Sequence, residues 1–429
     1  MSEYATALRS DDPRIREIFN VEAETLASGS VLIDDPFEKM NALRNAAPVH
    51  KGSLGDLMGY EGYHFTTHQP GFPTYTAFTF KAVSKAFIDN KTFSSRAYYP
   101  LGVVNAFGET ILNKSGADHR RYRSQIQNLF TPEYAQSWWD EKIIRETVET
   151  LISDIEKKDS ADLFLELCAR MPVHVVSGGF GIPADEIISF RVALLGLNRH
   201  GATPEERGAS MGEVRRILGR VITERRSRPQ DDIISRLIEA PVVDDNGDKR
   251  TFSDDEIISN CILIVLAGGG TTWRQLGITI FALMNHPEQF EALRADRSLA
   301  PQVILESARW HATDLVFPRM IEADTELEGF ALPKGAMLHL CLGAANRDPD
   351  RWDNPDAFDI HRPVQRALAF GGGAHSCFGQ HVSRQEMVVA LDAIMDRLPN
   401  LRWDTDKAPA KLVGDLFARG PSALPVRFG

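Results

Sequence analysis

Along most of the chain the apolar residues recur at three- and four-residue spacing, the period of a helix with one buried face. The rhythm predicts helices over 118–130, 133–157, 162–176, 184–195, 211–227, 231–239, 286–296, 300–312 and 378–397. Pro132, Pro183, Pro229, Pro287, Pro301 and Pro399 punctuate their ends, because proline lacks a donor and its ring disfavours helix in the residue before it. The longest predicted helix is Asp254–Ala282. Ser253 can cap its first turn, and Asp254, Asp255 and Glu256 complement the dipole there. Its middle is almost wholly apolar, so it is expected to cross the core and not to lie on the surface. Alternating segments are fewer. Ala47–Lys51 and Tyr63–Gln69 read as an early hairpin, and Phe317–Ile321, Leu327–Leu332, Ala336–Gly343 and Ala423–Phe428 as late strands. Two or three strands alone are marginal, so early and late strands should share a sheet and close the chain on itself. The expectation is a mainly α fold with a small β region. No linker, internal repeat or block of like charge divides the 429 residues, so residues 1–429 are expected to form one unit, with 1–30 as a lead-in.

Composition narrows the function. There are 48 basic and 59 acidic residues, a net charge of −11, which argues against nucleic acid or an anionic membrane as the general partner. The longest apolar run, Cys261 to Ala267, stops at three glycines and is too short to span a bilayer. The polar N-terminal residues show no secretion signal. Cys168, Cys261, Cys341 and Cys377 are far apart with no CxxC pair, so neither a disulfide framework nor a structural zinc site is expected, and a cytoplasmic location fits.

One segment carries chemistry by itself: Phe370-Gly-Gly-Gly-Ala-His375-Ser-Cys377-Phe-Gly379. Three glycines allow backbone turns that other residues resist, and they lead to a cysteine just before a predicted helix, where the dipole and free N–H groups stabilise thiolate. That suits a single soft metal ligand on a tight loop with a large flat group above it. The alternative is a buried apolar cysteine after a flexible loop.

The segment resembles the cysteine-ligand loop of cytochrome P-450 haem-thiolate monooxygenases, Phe-x-x-Gly-x-Arg/His-x-Cys-x-Gly, and every fixed position matches. The resemblance implies a cytochrome P-450-type domain with a long central helix over haem b, and Cys377 as the thiolate ligand of its iron. Glu306-Ser-Ala-Arg309 is, alone, an ordinary helical ion pair. In the family such a pair forms a buried structural cluster with a later arginine, which here would be Arg362 in Pro355-Asp-Ala-Phe-Asp-Ile-His-Arg362. Arg319 stands where the family often places a haem-propionate arginine. His119 and Arg123, at i and i+4 on one helical face, would clasp a propionate, although in isolation they fit a solvated helix face as well. Before Arg319 the family often has proline at the position of Thr313, so the backbone of Ala312–Val316 is expected to run differently.

Ala267-Gly268-Gly269-Gly270-Thr271-Thr272 places three glycines inside the central helix, at a cost of roughly 2–3 kcal/mol against alanine. The resemblance implies a local opening of the helix above haem at Gly268, with Thr271 as the hydroxyl that passes protons toward dioxygen. A flexible hinge with Thr271 bonded back to its own helix is the alternative. The family commonly has Asp or Glu before this threonine. Here it is Gly270, so the usual side-chain carboxylate is missing and ordered water is expected to supply the path.

The implied reaction is O2-dependent insertion of one oxygen atom into a C–H bond, as hydroxylation or O-/N-demethylation. Electrons would come from a separate ferredoxin and an NAD(P)H-dependent reductase, docking on Arg120, Arg121, Arg366 and Arg384. The pocket segments would be Tyr98–Phe107, Asn198–Thr203, Ile262–Gly269, Ala312–Phe317 and Leu416–Phe417, with Arg199, His200 and Asp314 as polar handles, taking a small, mainly apolar organic substrate. A peroxide-driven haem oxygenase and a non-catalytic haem sensor are the alternatives.

Overall fold

The computed structural model describes residues 12–60, 71–101, 104, 108–199, 202–243 and 248–429. Helices dominate. Those that position the site are α1 (Val21–Ala27), α2 (Gly116–Gln127), α3 (Arg170–Gly179), α4 (Ile187–Asn198), α5 (Asp254–Asn285), α6 (Ala300–Trp310) and α7 (Gln380–Arg397). Helix α5 begins in a full capping box: the Ser253 hydroxyl accepts from the Glu256 N–H, and the Glu256 carboxylate accepts from the Ser253 N–H. It is long and apolar enough to cross a membrane by length and composition, but its residues from Gly269 to Leu283 are almost all buried against other elements. It is the core helix that its apolar middle predicts.

Early and late strands do share one sheet. The strands are β1 (Val49–Lys51), β2 (Thr74–Ala77), β3 (Phe93–Ser94), β4 (Val316–Ile321) and β5 (Met337–Cys341), in the order β1-β2-β5-β4-β3. The partner of β1 is β2, antiparallel, with Val49 opposite Ala77. The expected partner, Tyr63–Gln69, lies outside the described residues. Leu327–Leu332 is not one strand: Thr325–Leu327 and Phe330–Leu332 pair as a hairpin, because Glu328 (φ 51°) and Gly329 (φ 85°) both take left-handed backbone, the geometry of a tight two-residue turn. The terminal strand Pro425–Arg427 pairs with Ser160–Asp162 on one side and Arg402–Trp403 on the other. One apolar cluster runs from Ile15 to Phe428 around α5, so the two ends of the described chain contribute to the same core.

Candidate active site

The loop before α7 is shaped by its glycines. Gly371 (φ +67°) and Gly373 (φ +64°) take left-handed backbone, and a Cβ on Gly373 would lie 2.2 Å from the Phe87 carbonyl oxygen. Only glycine lets the loop pass this close. The Cys377 N–H donates to the Phe370 carbonyl, 2.8 Å, which closes the loop. Three cysteines are buried and Cys377 alone is accessible. Its thiol is nevertheless closely surrounded by the protein. Burial pushes the thiol up, while the Gly379 and Gln380 N–H groups and Arg123 pull it back down.

Four cationic or imidazole groups gather around the cysteine loop and His375. The His119 and His375 rings lie 4.0 Å apart. Arg123 donates to the Ser376 carbonyl, 2.6 Å, in the cysteine loop. Arg319, on β4, is 4% exposed and lies over the Phe87 ring. Burial, with Arg123 and Arg120 adding to it, lowers His119 to about 4. Burial, His119, Arg319 and Arg123 lower His375 to about 2, so both rings are neutral at pH 7. Among the described residues, none of His119, Arg123 and Arg319 forms an ion pair with a carboxylate, and His119 Nε2 is buried without a hydrogen-bond partner. Such a cluster calls for an anion. A planar cofactor with carboxylate side arms and a metal bound by thiolate would answer the unpartnered His119 Nε2, the two arginines without a carboxylate and the accessible cysteine, so the residues present fit haem.

The arginines of the Glu306 cluster reach the loop through a traceable set of bonds. Glu306 (5% exposed) accepts from Arg309 Nε and Nη2, both 2.7 Å, from Arg362 Nε, 3.2 Å, and from the Asp359 N–H, 3.0 Å. Arg309 Nη1 donates to the Asn346 carbonyl, 3.1 Å. The Asn346 side chain accepts from the Leu368 N–H, 2.7 Å, and the Leu368 carbonyl accepts from the Gly371 N–H, 2.8 Å. The triad therefore braces the start of the cysteine loop. Asn346 escaped the sequence analysis, although a polar Asn346-Arg347-Asp348 run just after an apolar strand is a signal for it.

The central helix departs from expectation. It is helical without interruption through 267–271, and the Thr271 hydroxyl donates to the Ala267 carbonyl, 2.9 Å, so the expected opening at Gly268 is absent. Close packing accounts for two of the glycines: a Cβ on Gly268 would lie 2.9 Å from Val176 Cγ2, and one on Gly269 3.2 Å from Val173 Cγ2. Both contacts are with α3, which could not approach so closely against larger residues. Leu263, Ala267 and Thr271, at i, i+4 and i+8, form an accessible stripe along a helix otherwise largely buried in this stretch, and so Thr271 lies on the accessible side of α5.

Thr313 explains its own departure from proline. Its N–H donates to Gln275 Oε1, 3.2 Å, and its hydroxyl to the Arg419 carbonyl, 2.8 Å; proline could make neither bond. Asp314, 9% exposed, accepts from the Ala418 N–H, 2.9 Å, and burial pushes its carboxyl up to about 6. Phe317 and Phe417 pack edge to face at 6.0 Å. Arg199 is not a pocket handle: it is exposed and paired with Glu206 at the start of the helix from Pro204. His200 and residues 102–103 and 105–107 lie outside the described residues. Of the four docking arginines, Arg120 and Arg366 are exposed, Arg121 is tied to Asp118, and Arg384 is half-buried.

An α-rich fold with a thiol loop, a carboxylate-seeking cluster and a braced Glu-x-x-Arg helix defines a haem-thiolate protein. The cytochrome P450 family profile matches residues 205–411. Cytochrome P450 105C1 of a Streptomyces species is 30% identical over 395 residues, covering 91% of this chain and 95% of that protein. The C-19 steroid 1alpha-hydroxylase of Sorangium cellulosum is 31% identical over 353 residues, 80% of this chain and 87% of that protein. The solved structure of CYP109E1 from Bacillus megaterium, in complex with corticosterone, superposes with a TM-score of 0.78 at 26% identity over 92% of this chain and 98% of that one. The chain belongs to the cytochrome P450 family: it is a monooxygenase that uses haem b, an organic substrate, O2 and redox partners.

Proposed function

We propose that the whole chain acts as one haem domain that hydroxylates or demethylates a mainly apolar molecule of steroid size, with electrons from a ferredoxin and its NAD(P)H-dependent reductase. The observation that carries the reading is the accessible Cys377 thiol near two arginines, Arg123 and Arg319, that have no carboxylate partner among the described residues, and two neutral imidazoles, His119 and His375. Haem bound there supplies the oxygen-activating chemistry. Cys377 would hold its iron, His119, Arg123, Arg319 and His375 would hold its carboxylates, and Phe370 and Gly379 would frame the ligand loop. Glu306, Arg309 and Arg362 keep that loop in shape without touching substrate. Thr271 would hold a proton at its hydroxyl on the accessible side of α5. The Phe317–Phe417 pair would face the substrate, and the steroid chemistry named for two similar proteins supports the size class. Arg120 and Arg366 would meet the acidic surface of a ferredoxin.

The test is a spectral titration of the loaded enzyme with a compound library that includes steroids, followed by turnover. A spin shift with steroid-sized apolar ligands, and product with ferredoxin, reductase and NAD(P)H, is the expected result. Product with H2O2 alone and none with the electron-transfer proteins would instead establish the peroxide-driven reading. No spin shift and no product from any compound would establish a haem sensor.

A further inference from the structure

Gly270 is buried, yet a Cβ built on it would meet no atom within 4 Å. Unlike Gly268 and Gly269, it has room beside it. Two buried arginines are gathered near this turn from separate helices. Arg274, one turn along α5 and 3% exposed, donates through Nη1 to the Gly270 carbonyl and through Nη2 to Glu24 Oε2 of α1. Arg191, on α4 and 2% exposed, lies within electrostatic reach of both Glu24 and Arg274, and its Nε has no partner. The helix α1 is held there by its own approach: Phe19 packs edge to face on Trp273 at 5.5 Å, and Arg191 lies over the Phe19 ring.

Two buried cations thus face one ion-paired carboxylate, and that carboxylate is 31% exposed while its partner is 3% exposed. Glu24 therefore reaches solvent on one side, and on the other shares a guanidinium with the carbonyl of the residue next to Thr271. Asp314 also feels the Arg274 charge, but it is 9% exposed and one of its oxygens is taken by the Ala418 N–H. A water drawn into the room at Gly270 would find polar partners along one connected set of bonds, in which Arg274 joins the Gly270 carbonyl to the Glu24 carboxylate.

We propose that Glu24 is the proton-delivery carboxylate of this enzyme, positioned by Arg274 from the N-terminal helix α1 in place of a side chain at position 270. It acts through water beside Gly270 and through the Thr271 hydroxyl, and so rests on the reading of Thr271 above. In each cycle Glu24 takes one proton from solvent water and releases one to the water at Gly270. Only O–H bonds form and break, and no electrons move.

The test uses substrate-free holoenzyme reduced by a plant-type ferredoxin and its NADPH-dependent reductase, with the variants Glu24→Gln, Glu24→Asp and the double variant Glu24→Gln/Gly270→Glu. NADPH oxidation, its solvent deuterium isotope effect and thermal unfolding are measured together. Glu24→Gln should slow NADPH oxidation about tenfold or more and raise the isotope effect, Glu24→Asp should retain most of the rate, and the double variant should restore rate and isotope effect. A structural counter-ion would instead lower the unfolding midpoint with no change in isotope effect and no rescue from position 270, and either observation overturns the proposal. The reduced CO complex of the wild type reports thiolate ligation by Cys377 separately, so a failure of the haem-thiolate reading is told apart from a failure of Glu24.

Discussion

Replacing Glu306 with glutamine keeps the shape of the side chain and removes its charge. The consequence follows from the bond count. Glu306 answers two guanidiniums, Arg309 at 3% and Arg362 at 8% exposure, through three ion-pair hydrogen bonds, and it also accepts the Asp359 N–H. Glutamine can accept at one oxygen only, and its NH2 group would face an arginine donor. Both arginines keep backbone acceptors: Arg309 at Asn346, Pro355 and Ala357, and Arg362 at Asp353, Asn354 and Ala357. Neither can therefore turn out to solvent without breaking those bonds. Removing one partner of a buried pair costs about 3–5 kcal/mol, and two cations share this carboxylate, so the upper half of that range is expected. Against a total stability of about 5–15 kcal/mol for a folded domain, the loss is large. It should also be directional. Because Arg309 connects through Asn346 and Leu368 to Gly371, the cysteine loop should loosen before the fold is lost. Urea unfolding and the Soret band of the reduced CO complex, followed on the same samples, check this. Glu306→Gln should lower unfolding free energy by about 4 kcal/mol and shift the CO band away from the thiolate position at urea concentrations where helix content is intact. A loss below about 1 kcal/mol, or a CO band that disappears only with the helices, would refute the bracing argument.

Other outcomes follow from single positions. Cys377→Ser should retain the fold and lose the thiolate Soret band of the reduced CO complex, read by absorbance. Gly373→Ala should reduce haem retention severely, because an L-residue at φ +64° costs about 1–2 kcal/mol before the 2.2 Å approach to the Phe87 carbonyl is relieved, whereas Gly270→Ala should be tolerated; haem content per chain compares the two. Asp314→Asn should be stabilising at pH 7.5 and not at pH 4. The folded carboxyl at about 6 lies above its ordinary 3.8, so the folded state binds the extra proton and wild-type stability falls as pH rises between these values, by at most about 3 kcal/mol; parallel pH–stability curves for the two proteins would contradict this. Charge reversal of the exposed Arg120 and Arg366 together should slow the first electron transfer from ferredoxin at low salt, and the difference should shrink at high salt in stopped-flow traces.

How far the molecule was legible depends on where each constraint is written. The cysteine loop is contiguous: glycine geometry, the Cys377 thiol and the start of α7 lie within a few residues of one another, so its pattern is readable in one line. Glu306 and Arg309 are likewise one helical turn apart, and α5 announces itself by its cap and its apolar length. The failures share a different physics. β2 is four residues, Thr-Tyr-Thr-Ala, and becomes a strand only because β1 and the distant β5 flank it; its own pattern has no force. The split of 325–332 into a hairpin turns on two left-handed residues, Glu328 and Gly329, which local alternation cannot register. The three glycines of α5 look alike in sequence and are unlike in space: α3 presses on Gly268 and Gly269, and nothing presses on Gly270. The helix consequently needs no opening to accommodate them, and the reason inferred from resemblance gives way to a packing reason. Arg274 illustrates the limit most sharply. Its carboxylate partner is 250 residues away, on a short helix whose composition marks it as an ordinary lead-in. A missing side chain is legible at the position where it is missing; a group proposed to stand in for it is written wherever the fold brings one, and only the folded chain places Glu24 beside Arg274.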